Sequence, residues 1–499
     1  MSNAVAHPTD DNAQRHQSLD HRFFGHPMGL ANIFGVEIWE RFSFYGLQAV
    51  LIFYLYFKAT EGGLGIDQNV ATAIMGAYGG LVYLAAIGGG WVADRILGAE
   101  KTLFFSAIGV MCGHLCLSAL PGIAGMTVGL TLIALGSGGV KTTASTVVGS
   151  LYPRTDSRRD GGFSIFYMGI NIGALFGPLL TGWVRSQYGF HPAFLVAAGG
   201  MALGAGQYII LRKRTIDVDK FHPTSPLPRS AYPRLAGGLV ACALIIWGLF
   251  ATGILTVGRL SDAVSIVSLV AAVVMWLQMY RSSQVSDVER HRLRGYVPMF
   301  LSTVAFTALF QQQFTVLAIY TDERLNRTMF GHTITPEWMN SINPIFIIIF
   351  AGVFASMWTR MGSRQPSTPM KFGLGLIIIG IAPLVFLPFA GGGPNSTPFM
   401  VIVLILFIFT MAELLIAPIG FSLATKLAPE AFPTRMMSLH FLSWAIGTAL
   451  AGTFAGFYHP DIPSDERLFH IITAAVMIGL GVLLLSMRKP IERAFEGVA

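Results

Sequence analysis

Charge is scarce in this chain. Only 12% of its 499 residues are Asp, Glu, Lys or Arg, where a soluble protein carries about 25%. With a mean hydropathy of +0.60, that scarcity excludes an ordinary soluble globular protein. Cysteine is scarce too. Cys112, Cys116 and Cys242 all fall inside apolar runs, so they are expected to be buried, and an odd, buried set gives neither a disulfide framework nor metal-ligand spacing. His114, beside the first two, reads as a packed core histidine. Residues 1–25 lack an apolar run, so no cleavable signal peptide is expected and the segment reads as a short cytoplasmic tail. No Ser/His/Asp grouping or metal cluster stands out, which argues against an enzyme. Gly136-x-Gly138-x-x-Lys141 lacks the spacing of a phosphate loop. No cofactor and no metal are expected.

What the chain does have is apolar runs, recurring from residue 28 to residue 487. Each is long enough for a helix of about 20 residues to cross roughly 30 Å of hydrocarbon. About fourteen spans are expected, at 28–57, 69–93, 102–119, 124–150, 161–184, 191–211, 235–256, 262–281, 297–320, 337–360, 369–390, 398–428, 432–458 and 466–487. The net charge of +7 is not a nucleic-acid footprint, because the basic residues fall in alternate loops, as topogenic charges do. One set of loops holds Arg95 and Lys101, then Arg154 with Arg158 and Arg159, then Arg212-Lys213-Arg214, and continues to Arg488-Lys489. The loops at 121–126, 257–261 and 391–398 carry one Arg and no Lys between them. The loop at 321–336 is an exception, with Arg324 and Arg327 beside Asp322 and Glu323. An even span count puts both termini on the basic, cytoplasmic side.

The segment 212–234 is rich in Pro and basic residues and reads as a linker. Six spans precede it and six begin at 297, leaving 235–281 as an additional hairpin almost free of ionisable groups. The expected plan is a tail at 1–27, a six-helix bundle at 28–211, the linker, the hairpin, a second linker at 282–296, a six-helix bundle at 297–487 and a tail at 488–499. This all-α polytopic arrangement is the plan of major facilitator transporters.

The informative residues are charges placed where charges are expensive, at roughly 2.5–3.5 kcal/mol or more each. Glu37, Glu40 and Arg41 stand at i, i+3, i+4, spacings that share one helix face. Lys141 lies well inside the fourth span, after Gly136 and Gly138, and Glu413 lies in the middle of span 398–428. A lone Glu37–Arg41 pair would read as structural. Two acids and two bases converging from different helices favour function. The four charges Glu37, Glu40, Arg41 and Lys141 sum to zero when ionised. Protonating one glutamate leaves +1, which attracts a substrate carboxylate, while Glu413 suits a substrate ammonium.

At this point the motifs resemble a known family. Glu37-x-x-Glu40-Arg41-Phe42-Ser43-Phe44-Tyr45-Gly46 resembles the first-helix signature of the proton-dependent oligopeptide (POT/PTR) transporters. Gly90-Trp91-Val92-Ala93-Asp94-Arg95 looks like the superfamily loop between the second and third helices, and Asp160-Gly161-Gly162-Phe163 through Asn171-Ile172-Gly173 matches the fifth-helix signature. Ser341-Ile342-Asn343-Pro344 and Glu413-Leu414, with Pro418 and Gly420, fit in order, and bacterial members also carry the extra hairpin.

The resemblance implies a proton-coupled symporter importing di- and tripeptides by alternating access, in the bacterial inner membrane, expected as a monomer. It implies that Glu37, Glu40, Arg41 and Lys141 couple protonation to binding. Arg41, Lys141, Tyr45 and Asn171 would hold the peptide's carboxyl end and backbone; Asn343 and Glu413 its amino end; Tyr78 would line the pocket. Asn171 and Asn343 also admit a plain helix–helix role. The chain departs from the family at Phe44, where a second Tyr is usual, and at Gln48, where a basic residue is usual. Thr307 and Gln311 stand for Trp and an acid, His440 for a Trp and Thr448 for an Asn. Gln311, His440 and Trp444 are therefore candidates for pocket lining or pH sensing, with a packed link between helices as the plain alternative for His440. Other substrates on the same scaffold (nitrate, a peptide-like drug, a modified amino acid) and a non-transporting peptide receptor remain as alternatives.

Overall fold

The computed structural model describes residues 20–153, 156, 158–329 and 331–497. The expected tail before residue 20, Arg154 and the last two residues lie outside them. Every expected span is a helix. They are α1 Met28–Tyr56, α2 Gln68–Val92, α3 Ala99–Ala119, α4 Gly122–Ser150, α5 Arg159–Tyr188, α6 Phe190–Thr215, α7 Tyr232–Ala251 and α8 Leu260–Tyr280. Then follow α9 Asp287–Phe310 with its short continuation α10 Val316–Glu323, α11 Ile342–Met361, α12 Thr368–Ile381, α13 Phe399–Lys426, α14 Pro433–Ala455, α15 Pro463–Ser486 and a terminal α16 Arg488–Ala494. A two-residue antiparallel hairpin, β1 Thr328–Met329 and β2 His332–Thr333, decorates the loop after α10.

Helix is the form lipid selects, because it satisfies every backbone N–H and C=O internally. Twelve of the helices are apolar enough over an 18-residue window to be recognised as spans by composition alone. The two missed by that measure are α1, which carries Glu37, Glu40 and Arg41, and α14, which begins at Pro433-Thr434-Arg435. Polar content inside a membrane helix is itself the signature of function.

Two compact units do not follow the expected halves. One comprises the described residues up to Leu47, Ala85–Gly177 and His191–Gly238; the other comprises Gln48–Leu84, Pro178–Phe190 and Leu239 onward. We call the helix ends away from the basic loops the distal ends.

In the first unit α3 and α4 pack closely, and a methyl group added at Gly136 would sit 2.7 Å from Ser106 O. Buried Glu100 accepts from Arg212 Nη1 and Tyr208 Oη, both at 3.0 Å. Ahead of α1, Asp20 Oδ2 accepts the Met28 backbone N–H at 2.9 Å, and His26 Nδ1 bonds Tyr152 Oη at 2.9 Å. Arg158 donates to the carbonyls of Asp20 and Gly25 and to Asp156. The bond from Arg22 holds the Asp20 carboxyl well below its ordinary range, and Arg158 does the same for Asp156. Partial burial, then the Arg158 charge, pushes His26 down.

The second unit joins the distal ends of α1, α2 and α5 to the C-terminal helices. Arg185 Nε and Nη2 donate to Glu337 at 2.6 and 2.8 Å, inside a ring of Phe53, Phe57 and Phe190. Tyr56 Oη donates to Asp322 and Gln68 Nε2 to Glu323, each at 2.7 Å. The loop charges of 321–336 are likewise tied. Arg324 pairs with buried Glu466 at 2.7 Å, and Arg327 lies 3.5 Å from Asp322.

The hairpin is asymmetric. No residue of α7 is buried, whereas α8 buries Ser261, Val264, Ser265, Ser268, Ala272 and Met279. The expectation of three buried cysteines is corrected here. Cys242 is exposed, on a helix with no buried residue, and Cys112 and Cys116 are half-buried. His114 is fully buried, as expected.

Candidate functional site

The charged cluster forms on one face of α1. Arg41 Nε donates to Glu37 Oε1 at 2.7 Å and lies 3.3 Å from Glu40 Oε2, with Glu37 and Glu40 buried and the Arg41 side chain 10% exposed. The i, i+4 spacing closes the first contact within a single turn. Glycines on α5 let α1 approach: a methyl group at Gly173 would overlap Ile38 O and lie 2.7 Å from Arg41 Cβ. Lys141 enters from α4, its Nζ 4.4 Å from the Phe44 ring centroid, within electrostatic reach of Arg41, Glu40 and Glu37. The expected four charges are therefore together. Tyr45 packs edge-on to Phe44 at 5.2 Å. Asn171, buried on α5, donates its Nδ2 to Tyr167 O one turn earlier in the same helix at 3.0 Å.

The carboxylates of this cluster are short of donors. Glu37 Oε2 and both oxygens of Glu40 are buried with no hydrogen bond among the described residues. A buried charge is costly unless paired and hydrogen-bonded.

The second unit carries the remaining candidates. Asn343 Nδ2 on α11 donates to Glu413 Oε2 and to Thr410 Oγ1 on α13, both at 3.0 Å. Glu413 is thus oriented by an amide rather than neutralised by a cation. Helix α9 breaks at Gln311–Phe314 into a 3-10 turn, after which Thr315 leaves helical geometry. At the break Gln311 Nε2 donates to Thr448 Oγ1 on α14 at 3.3 Å. Interrupted helices in transporters free backbone groups beside binding sites. Tyr78 is buried on α2. His440 Nδ1 bonds Tyr296 Oη of α9 at 2.9 Å, and its ring stands edge-on to Phe421 at 4.6 Å. That hydrogen bond joins α14 to α9. Trp444 stacks on Phe421 and tilts against Tyr83, its Nε1 buried without an acceptor among the described residues.

Sequence reasoning missed the pairs Arg185–Glu337, Arg324–Glu466 and Arg212–Glu100. Each member lies at a helix end, where hydropathy assigns charge to a loop. The only available signal was an acid and a base placed on the same expected side.

The POT family model matches residues 100–463. This chain belongs to the POT family. It is similar to the uncharacterized transporter YclF of Bacillus subtilis, 40% identical over 95% of this chain and 96% of the relative. It is 37% identical to a di-/tripeptide transporter of Lactococcus lactis subsp. cremoris, over 95% and 98% of the two chains. A solved peptide transporter POT variant in complex with alafosfalin superposes with a TM-score of 0.91 at 39% identity, covering 98% of this chain and 100% of that one. The chain is therefore a multi-pass transporter with the major facilitator fold, and not an enzyme.

Proposed function

We propose that this transporter imports di- and tripeptides together with protons by alternating access, working as a monomer in the bacterial inner membrane with both termini cytoplasmic. The observation that carries the reading is the donor-starved, charge-balanced cluster of Glu37, Glu40, Arg41 and Lys141. Ionised, it is neutral and Arg41 is held by Glu37. Protonation of either glutamate removes one negative charge and leaves the cluster at +1, which attracts a substrate carboxylate. Tyr45 and Asn171 help hold the carboxyl end and backbone, Asn343 and Glu413 hold the ammonium end, and Tyr78 lines the pocket. Return of the carboxylate charge after the proton leaves expels the product. Each proton moving down 100 mV supplies about 2.3 kcal/mol, roughly fifty-fold accumulation of a neutral substrate.

A second reading, a different substrate on the same scaffold, is favoured by one contact. Gln311 and Thr448 satisfy each other where the family usually carries an acid and an Asn. Uptake of labelled di- and tripeptides into proteoliposomes, with and without an inward proton gradient, separates the readings. Gradient-driven accumulation is expected. Uptake that ignores the gradient overturns coupling, and absence of peptide uptake overturns the substrate.

A further inference from the structure

The hairpin helix α8 lies on a seam. At this seam α2 and α14 meet backbone to backbone: a methyl group at Gly76 would lie 2.7 Å from Gly452 Cα, and one at Gly80 would lie 3.0 Å from Ala445 O. Helix α8 covers the junction. Val264 packs with Ala77 of α2 and Ala449 of α14 in one apolar cluster that Leu260 closes. The Val264 Cγ1 atom fills the notch left by Gly80, 2.9 Å from where a methyl group would be, and a methyl group at Gly258, just ahead of α8, would lie 3.7 Å from Val70 Cγ2.

The two sides of this contact differ in kind. Toward the C-terminal helices α8 is bonded: Thr453 Oγ1 donates to Asp262 Oδ1 at 2.6 Å and to Ser261 Oγ at 3.1 Å. At its other end Trp276 Nε1 donates to Leu293 O and Arg290 Nε to Tyr280 O, both at 3.2 Å, while Arg294 bonds Tyr280 Oη. These bonds fix α8 to α14 and α9. Toward α2 its contacts run through Val264, Leu260 and Gly258 against Ala77, Gly80 and Val70, with no hydrogen bond among these residues. In a bilayer, parting an interhelical hydrogen bond leaves its polar groups without a partner, whereas an apolar surface that slides exchanges one apolar neighbour for another.

We infer that α8 is a built-in bearing: it travels as part of the C-terminal bundle, and α2 slides against its apolar face when the distal ends part. This rests on the alternating-access reading above. The polar contacts Gln68–Glu323, Tyr56–Asp322 and Arg185–Glu337 are the latches that must open in that motion. The apolar face of α8 is the surface that stays engaged while they do. Shear of this kind, small sliding of packed helices, is a recognised mode of domain movement.

Two cross-links with opposite expected outcomes test the bearing, made in the full chain after Cys112→Ala, Cys116→Ala and Cys242→Ala. Oxidising Ala77→Cys with Val264→Cys pins α2 to α8, and gradient-driven uptake should fall about tenfold or more and return on reduction. Oxidising Asp262→Cys with Thr453→Cys joins two elements that already move together, and uptake should stay within about twofold of its reduced form. Full transport by the oxidised first pair overturns the bearing, as does a reductant-reversible loss in the second. If the reduced first pair is itself inactive, Val70→Cys with Gly258→Cys takes its place. Failure of the transport reading is told apart by deuterium exchange over 68–84, which needs no substrate. Oxidation should slow it in the first pair and leave it unchanged in the second, and the reverse pattern overturns the proposal.

Discussion

Two buried Arg–Glu contacts in this chain share composition and differ in their surroundings. In the second unit, both oxygens of Glu466 are taken: Arg324 Nη1 reaches them at 2.8 and 2.7 Å, Tyr458 Oη adds a bond at 3.1 Å and the Gly391 N–H another at 2.8 Å. In the first unit, three of the four carboxylate oxygens around Arg41 have no hydrogen bond among the described residues. A saturated buried pair holds structure, because removing one partner strands the other. A starved pair leaves its carboxylate oxygens without the hydrogen bonds that would hold them in one arrangement. Donor count, rather than burial, separates the two.

The largest expected effect breaks the saturated pair. Glu466→Gln should destabilise the protein by about 3–5 kcal/mol, seen as a lowered midpoint in thermal unfolding of the detergent-solubilised chain. Replacing both Glu37 and Glu40 with Gln should lower that midpoint less, because fewer hydrogen bonds are lost there. It should abolish gradient-driven accumulation yet keep counterflow exchange. A double variant that still concentrates substrate would remove the coupling role, and one that fails to fold would remove the distinction itself.

Glu413 lies between the extremes, with one oxygen bonded to Asn343. Glu413→Gln should weaken binding of free peptides by about ten- to hundred-fold, the value of a charge-assisted hydrogen bond of roughly 1.5–3 kcal/mol. N-blocked peptides should bind nearly as before. Equal loss for both ligands would class Glu413 with the structural pair.

A smaller effect is expected at His440. Its Nδ1 has a partner in Tyr296 while its Nε2 has none among the described residues. With the imidazole fixed as a link between α9 and α14, His440→Gln should cost up to about 1 kcal/mol of stability and leave the pH profile of uptake unchanged. A shifted acid limb would move His440 to the starved class.

The smallest effect belongs to the polar clamp before α1, which is saturated but exposed to water. Burial, then Arg158, lowers the His26 pKa, with Asp156 opposing and His21 reinforcing; Tyr152 supplies the bonded hydroxyl. A depressed histidine stabilises the fold above its unfolded pKa of about 6.5, and that contribution is lost as pH falls through the folded value. Deuterium exchange of residues 20–27, corrected for intrinsic rate, should therefore rise below about pH 6.5. Exchange that stays flat down to pH 5 would show that His26 does not hold the clamp.

How much of this was legible beforehand depended on the direction in which information runs along the chain. Helix positions follow from apolar runs, which are local, and all fourteen spans appear. The Glu37–Glu40–Arg41 face follows from helical periodicity, also local. Lys141 and Glu413 were legible because a charge inside an apolar run needs a reason. The pairing Arg324–Glu466 spans 142 residues, and no periodicity connects its members. The break at Gln311–Phe314 was hidden because three glutamines are compatible with helix. The bearing was hidden because Val264 and Gly80 are ordinary residues, informative only once α2 and α8 are seen to touch. The compact units crossed the expected halves for the same reason, since distal-end contacts such as Arg185–Glu337 tie α5 to sequence far downstream.

Helix α7, with no residue buried, carries a different consequence. A side chain that faces lipid is read for length and apolarity without regard to shape. Such a segment is free to exchange one apolar residue for another at almost every turn, provided about 20 of them still reach across. Its message is a distance. A run of leucines of the same length would deliver it as well, bringing the chain back through the membrane to begin α8 at the right place.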